Sequence, residues 1–100
     1  MSVSNTARSV TGVGTTEQIQ INSHDALRAM LVAEVTGTAT YNIEYSLDGV
    51  FFLPFKGSAG LMASDDVSLV FPVYSVRVKI VSGTGSVKLT VRQTDGKFGV

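Results

Sequence analysis

From Val73 to Arg92 the chain reads V-Y-S-V-R-V-K-I-V-S-G-T-G-S-V-K-L-T-V-R, two runs of strict alternation around a Gly-containing break. Val76, Val78 and Ile80 alternate with Ser75, Arg77 and Lys79; Val87, Leu89 and Val91 alternate with Lys88, Thr90 and Arg92. Period-two alternation puts successive side chains on opposite faces of an extended chain, so each run reads as a strand with one apolar face. With Ser82–Gly85 as the loop, the stretch predicts a β-hairpin in which Ile80 faces Val87, Val78 faces Leu89 and Val76 faces Val91. One face of that hairpin is aliphatic, and the other carries Arg77, Lys79, Lys88 and Arg92. A lone hairpin is marginal in water, so the rest of the chain has to supply a second apolar layer.

The remaining segments have the pattern to do so. Thr40 to Phe52 places Tyr41, Ile43, Tyr45 and Leu47 on one side and Asn42, Glu44 and Ser46 on the other. Asp48-Gly49 reads as a two-residue type I′ turn, which pairs Leu47 with Val50 and Tyr45 with Phe52. Glu17 to Ile21 and Val67 to Phe71 alternate as strands, and Asn22 to Asp25 is a turn cluster. Leu27 to Val35 mixes helix-favouring residues with a strand-like end; the strand reading is preferred, with Met30, Leu31, Val32 and Ala33 implying burial on both faces. Lys56 to Asp66 is a loop in which Leu61 and Met62 plug the open end of the core. Pro72 marks a corner. Residues 1–16, rich in Ser, Thr and Gly, read as an extended N-terminal arm, either packed on its own domain or bound to a neighbouring molecule. Residues 17–100 then form one domain. The expectation is an all-β antiparallel sandwich of about seven to eight short strands, jelly-roll or Ig-like.

Charge excludes some partners. Formal net charge is +0, which gives no global field to draw in nucleic acid or a membrane surface. It is unevenly placed: residues 1–50 carry two basic and five acidic groups, hence −3, and residues 51–100 carry six basic and three acidic groups, hence +3. No segment approaches the roughly 20 apolar residues of a membrane span, and the first residues lack the apolar core of a signal peptide. There are 0 cysteines, which removes disulfides and thiolate zinc sites.

Catalytic chemistry has little to stand on. Ser23-His24-Asp25 contains triad residue types, but adjacency does not bring them to the two ring nitrogens as a triad requires. Asp65-Asp66 lacks further oxygen ligands nearby for calcium. The Gly-x-Gly pairs at 12–14 and 83–85 are not followed by Lys-Ser or Lys-Thr and open no helix. Tyr41, Tyr45 and Phe52 fall on a core face, leaving Phe51 as the candidate exposed aromatic. The chain reads as a non-enzyme without metal or cofactor.

Tyr41 to Val50, Y-N-I-E-Y-S-L-D-G-V, and Phe71 to Val91, F-P-V-Y-S-V-R-V-K-I-V-S-G-T-G-S-V-K-L-T-V, resemble small virion proteins of tailed bacteriophages. The shared pattern is a Tyr-x-Ile/Val-x-Tyr strand entering an Asp-containing turn, a Pro-Val corner, a Val-Arg strand, a Gly-Thr-Gly turn and a final Val/Leu/Thr strand. Phe51 and Phe52 stand where that group commonly has an aromatic, often Trp. The resemblance covers about half of the chain and implies a β-sandwich structural subunit located in the virion, forming a homo-oligomer or symmetric array. It implies a capsid decoration protein first, and a neck, tail or fibre component as the alternative, with a major capsid or tail protein as partner. Arg77, Lys79, Lys88, Arg92 and Phe51 are the candidate partner-binding residues. A host-surface carbohydrate-binding module is the reading from a different class; it requires exposed aromatics beside acidic or amide groups in a groove.

Overall fold

The computed structural model describes residues 3–21, 29–69 and 73–94, with residues 3, 4 and 94 as backbone alone. Among these residues there are nine strands: β1 (Val3–Thr11), β2 (Gly14–Thr15), β3 (Ile19–Gln20), β4 (Ala29–Thr36), β5 (Ala39–Ser46), β6 (Phe52–Pro54), β7 (Asp65–Ser68), β8 (Ser75–Gly83) and β9 (Ser86–Thr94). They form two antiparallel sheets. Sheet A has the order β1-β9-β4-β7, and sheet B the order β2-β8-β5-β6, with β3 also paired to β8. This is a β-sandwich, as the alternation predicts.

The hairpin expected between Val76 and Val91 is not formed. β8 belongs to sheet B, where Val76, Val78 and Ile80 pair with Tyr45, Ile43 and Tyr41 of β5. β9 belongs to sheet A, where Val87, Leu89 and Val91 pair with Val35, Ala33 and Leu31 of β4. All six aliphatic side chains are fully buried. The physical reason is cover: a hairpin lines all six on one bare face, whereas a crossing between sheets lets the two rows face each other through the core. It also separates Lys79 from Lys88, which a hairpin would set opposite each other as like charges.

The crossing is possible because the links are glycine-rich and closely packed. Gly83 has φ 103°, and a Cβ on Gly85 would lie 2.6 Å from Thr36 O. Two other links change sheets at the same end: β1 to β2 through Gly12, and β4 to β5 through Gly37. The Gly12 N–H donates to Gly85 O at 3.0 Å and the Gly85 N–H to Thr38 O at 2.8 Å, tying the three links together.

Other expectations divide. Leu27–Val35 is strand where described, over residues 29–35, but it is buried on one face only: Leu31 and Ala33 are 0% exposed, while Met30 and Val32 point outward. The segment expected as an arm is extended, and residues 3–11 of it pair along their whole length with β9 as an edge strand of sheet A. Asp65 and Asp66 lie in β7, paired to Ala33 and Val32 rather than in a loop. Leu61 packs partly on the core beside Tyr41, whereas Met62 is exposed and plugs nothing. The turn at 22–25 with His24, the Pro72 corner and the tail after residue 94 lie outside the described residues.

Candidate functional site

The end of the sandwich opposite the three sheet crossings is built by the loop between β5 and β6, beside the entry into β8. Asp48-Gly49 does not form the type I′ turn. Asp48 has no positive φ; Gly49 alone does, at 82°. The connection is five residues long, and β5 and β6 pair as Ser46 with Phe52, Tyr45 with Leu53 and Glu44 with Pro54. This is a register one residue away from the expected one, and such a slip turns side chains to the other face. Phe52 therefore leaves the core side and joins Glu44 and Arg77 on the outer face of sheet B.

Side chains satisfy the polar backbone groups of this loop. Ser46 Oγ accepts from the N–H groups of Asp48 (3.2 Å) and Gly49 (2.8 Å) and donates to Asp48 Oδ1 (3.0 Å). Asp48 Oδ1 accepts from the N–H groups of Val50 (2.8 Å) and Phe51 (3.0 Å). The Phe51 and Val50 amides, with the Ser46 hydroxyl, hold the Asp48 carboxyl below its ordinary carboxylate pKa. Gln18 bridges inward: its Nε2 donates to Gly49 O at 3.2 Å, and its Oε1 accepts from Ser75 Oγ at 2.6 Å.

With the loop amides held by Ser46 and Asp48, the apolar side chains turn out. Val50, Leu47 and Phe51 are 83%, 70% and 66% exposed, and Leu53 and Tyr74 are exposed beside them. Tyr45, Ser46, Leu47, Asp48, Phe51 and Leu53 line a half-open depression of about 290 Å³. Scattered exposed apolar residues are ordinary on a protein surface; a cluster of them on one loop is the kind of surface that interaction sites use. Because the loop is already ordered by its own hydrogen bonds, less conformational entropy is left to lose on binding.

Of the candidate residues, Phe51 lies in this site and is exposed as expected. The four cations do not share a face. Arg77 and Lys79 lie on the outer side of sheet B and Lys88 and Arg92 on the outer side of sheet A, because their strands are in different sheets. Arg77 is committed internally: its Nε donates to Glu44 Oε1 at 2.8 Å, and its guanidinium carbon lies 3.9 Å from the Phe52 ring centroid. Lys88 stands opposite Glu34, and Lys79 opposite Asn42. The aromatics form no common platform: Tyr41 and Phe55 are buried, and Phe52 lies against Arg77. Leu53 and Tyr74 carry no signal in the sequence, and Leu47 and Val50 read there as a cross-strand pair and not as part of a site. The signal available was Ser46-x-Asp48, whose two side-chain oxygens can cap a longer loop.

Among the described residues there is no group of three or more His, Cys, Asp or Glu placed to hold a metal, and no helix long and apolar enough to cross a membrane.

No protein-family model matches the chain, and no curated protein is significantly similar to it in sequence. Solved structures do resemble it. The crystal structure of SPBc2 prophage-derived protein YomS aligns with a TM-score of 0.59 at 14% identity, covering 93% of this chain and 95% of that one. A de novo designed double-stranded β-helix and the Aeromonas hydrophila periplasmic lysozyme inhibitor PliG each give a TM-score of 0.42 at 14% identity. The former alignment covers 91% of this chain and 99% of that one, and the latter 89% and 83%. At such identities the likeness to YomS is one of fold.

Proposed function

We propose that this chain is a non-enzymatic structural protein of a phage virion, a capsid decoration subunit that docks on the head through its β5–β6 loop end. The observation that carries the reading is the exposed, pre-ordered apolar cluster of Leu47, Val50, Phe51 and Leu53. Supporting it are the resemblance of the Tyr41–Val50 and Phe71–Val91 segments to small tailed-phage virion proteins and a fold shared with a prophage-derived protein. The carbohydrate-binding alternative needs an acidic or amide group free beside the aromatic. Here Phe51 does stand beside the exposed Asp48, but Asp48 Oδ1 is engaged by two loop amides and a hydroxyl, which leaves Oδ2 alone to accept from a sugar.

The test is co-sedimentation of the purified protein with phage heads and, separately, with isolated tails. Binding to heads that is lost in Val50→Ser/Phe51→Ser, with the melting temperature unchanged, supports decoration through this loop. Binding to tails alone moves the protein to the neck, tail or fibre class. Binding to neither, together with binding on a glycan array, overturns the structural reading.

A further inference from the structure

We propose that β1 is an exchangeable strand, and that two copies of this chain associate by each inserting its β1 beside the β9 of the other. This goes beyond docking at the loop end and does not depend on it.

β1 is held almost wholly by backbone pairing. All nine of its residues are in register with β9, from Val3 opposite Thr94 to Thr11 opposite Ser86. Residues paired directly across strands share a face, so Thr6, Arg8 and Val10 take the core side, opposite Val91, Leu89 and Val87. Two of those three are polar; Val10 packs partly against the core, and Thr6 is half-buried. None of residues 5–11 is buried. The side-chain anchors are at the surface: Arg8 Nε to Glu17 Oε2 at 3.6 Å, with Glu17 85% exposed, and the Thr11 and Ser86 hydroxyls at 2.7 Å. A strand with few buried contacts opens at low local cost.

β9 cannot do without a strand at that edge. Its inner residues belong to the core, and losing β1 leaves the amides and carbonyls of every second residue along that nine-residue edge unpaired. The β1 of a second copy restores the same bonds, because it has the same sequence. What changes is the link. Only Gly12 and Val13 separate β1 in sheet A from β2 in sheet B. Gly12 turns the chain at φ 73°, and Val13 is 71% exposed. Straightening that link gives up the Gly12 N–H to Gly85 O bond but uncovers no buried side chain of the link, and it directs β1 away from its own sheet. Short links between exchanged elements favour exchange between copies over return within one.

The 0 native cysteines make a direct test available. Ala7 of β1 lies opposite Thr90 of β9. Ala7→Cys and Thr90→Cys are prepared separately, mixed, unfolded, refolded together at high concentration and oxidised. The expected result is a mixed disulfide dimer, well above the dimer formed by either variant alone. Two results overturn the proposal. One is a mixture that stays monomeric while the double variant Ala7→Cys/Thr90→Cys closes within one chain. The other is Ala7→Cys dimerising equally well by itself, which means β1 pairs edge to edge with another β1 and never leaves its sheet. If the double variant fails to close, native mass spectrometry of the unmodified chain decides. A dimer abolished by deleting residues 1–11 supports exchange, and a monomer at every concentration overturns it.

Discussion

Arg77 and Glu44 face each other across the β8–β5 pair, joined by a 2.8 Å hydrogen bond from Nε to Oε1, with the Glu44 side chain only 7% exposed. The Phe52 ring lies 3.9 Å from the guanidinium carbon. Removing one partner of an enclosed ion pair leaves an unpaired charge. Arg77→Ala is expected to lower stability by about 2–3 kcal/mol, less than for a fully enclosed pair because the Arg77 side chain keeps 26% exposure. Arg77→Lys keeps the charge but not the planar group over the ring, and is expected to cost about 1 kcal/mol. Urea midpoints measure both; identical midpoints for Arg and Lys would show that stacking on Phe52 contributes nothing.

Asp48 makes the fold sensitive to acid. Its carboxyl is held low by the Phe51 and Val50 amides and the Ser46 hydroxyl, so the folded state favours the ionised form. A lowered folded pKa gives stability that is fully present above the unfolded value of about 3.9 and is lost as pH falls through the folded value. Asp48→Asn is expected to melt lower than wild type at neutral pH and to lose less on acidification. Melting temperatures at neutral pH and across the acid range check this, and parallel curves would refute it.

Two glycines are required for different reasons. Gly49 sits at φ 82°, where a Cβ also meets Tyr74 Cε2 at 2.8 Å, but that ring is exposed and can move. Gly49→Ala is expected to cost about 1–2 kcal/mol for the backbone conformation. Gly85→Ala meets backbone that cannot yield, with Thr36 O at 2.6 Å and Thr38 N at 2.7 Å. It should destabilise more than Gly49→Ala, as read from paired urea titrations; the reverse order would mean that the links at the crossing end adjust freely.

Lys79 and Lys88 are expected to respond differently to charge reversal. Lys88 stands opposite Glu34, so Lys88→Glu creates a like-charge cross-strand pair that costs up to about 1 kcal/mol. Lys79 stands between Asn42 and Thr15, and Lys79→Glu should leave melting nearly unchanged. Equal effects would show that these neighbours do not sense the charge.

Strand positions were legible wherever alternation was regular: β5, β8 and β9 all fall where the pattern of Tyr41, Val76 and Val87 puts them. Which strand lies beside which was not. Alternation specifies the face a side chain takes and says nothing about the neighbour, so Ser82–Gly85 reads equally as a hairpin loop and as a crossing. The site was half legible. Phe51 stood out as an aromatic off the core face. Leu47 continued the alternation of β5 and so was assigned to the core, although β5 ends at Ser46 and the Ser46 and Asp48 oxygens open a wider loop.

The pairing of β1 with β9 also has a consequence for synthesis. Val10 lies opposite Val87, and Val3 opposite Thr94, so β1 leaves the ribosome with its partner still untranslated. It must wait in water while most of the sandwich is made, and pairing at such sequence separation is slow to form. Thr6, Arg8 and Ser9 suit a segment that spends this interval unpaired. An aliphatic strand in the same place would offer every nascent chain nearby an adhesive edge before β9 existed to cover it.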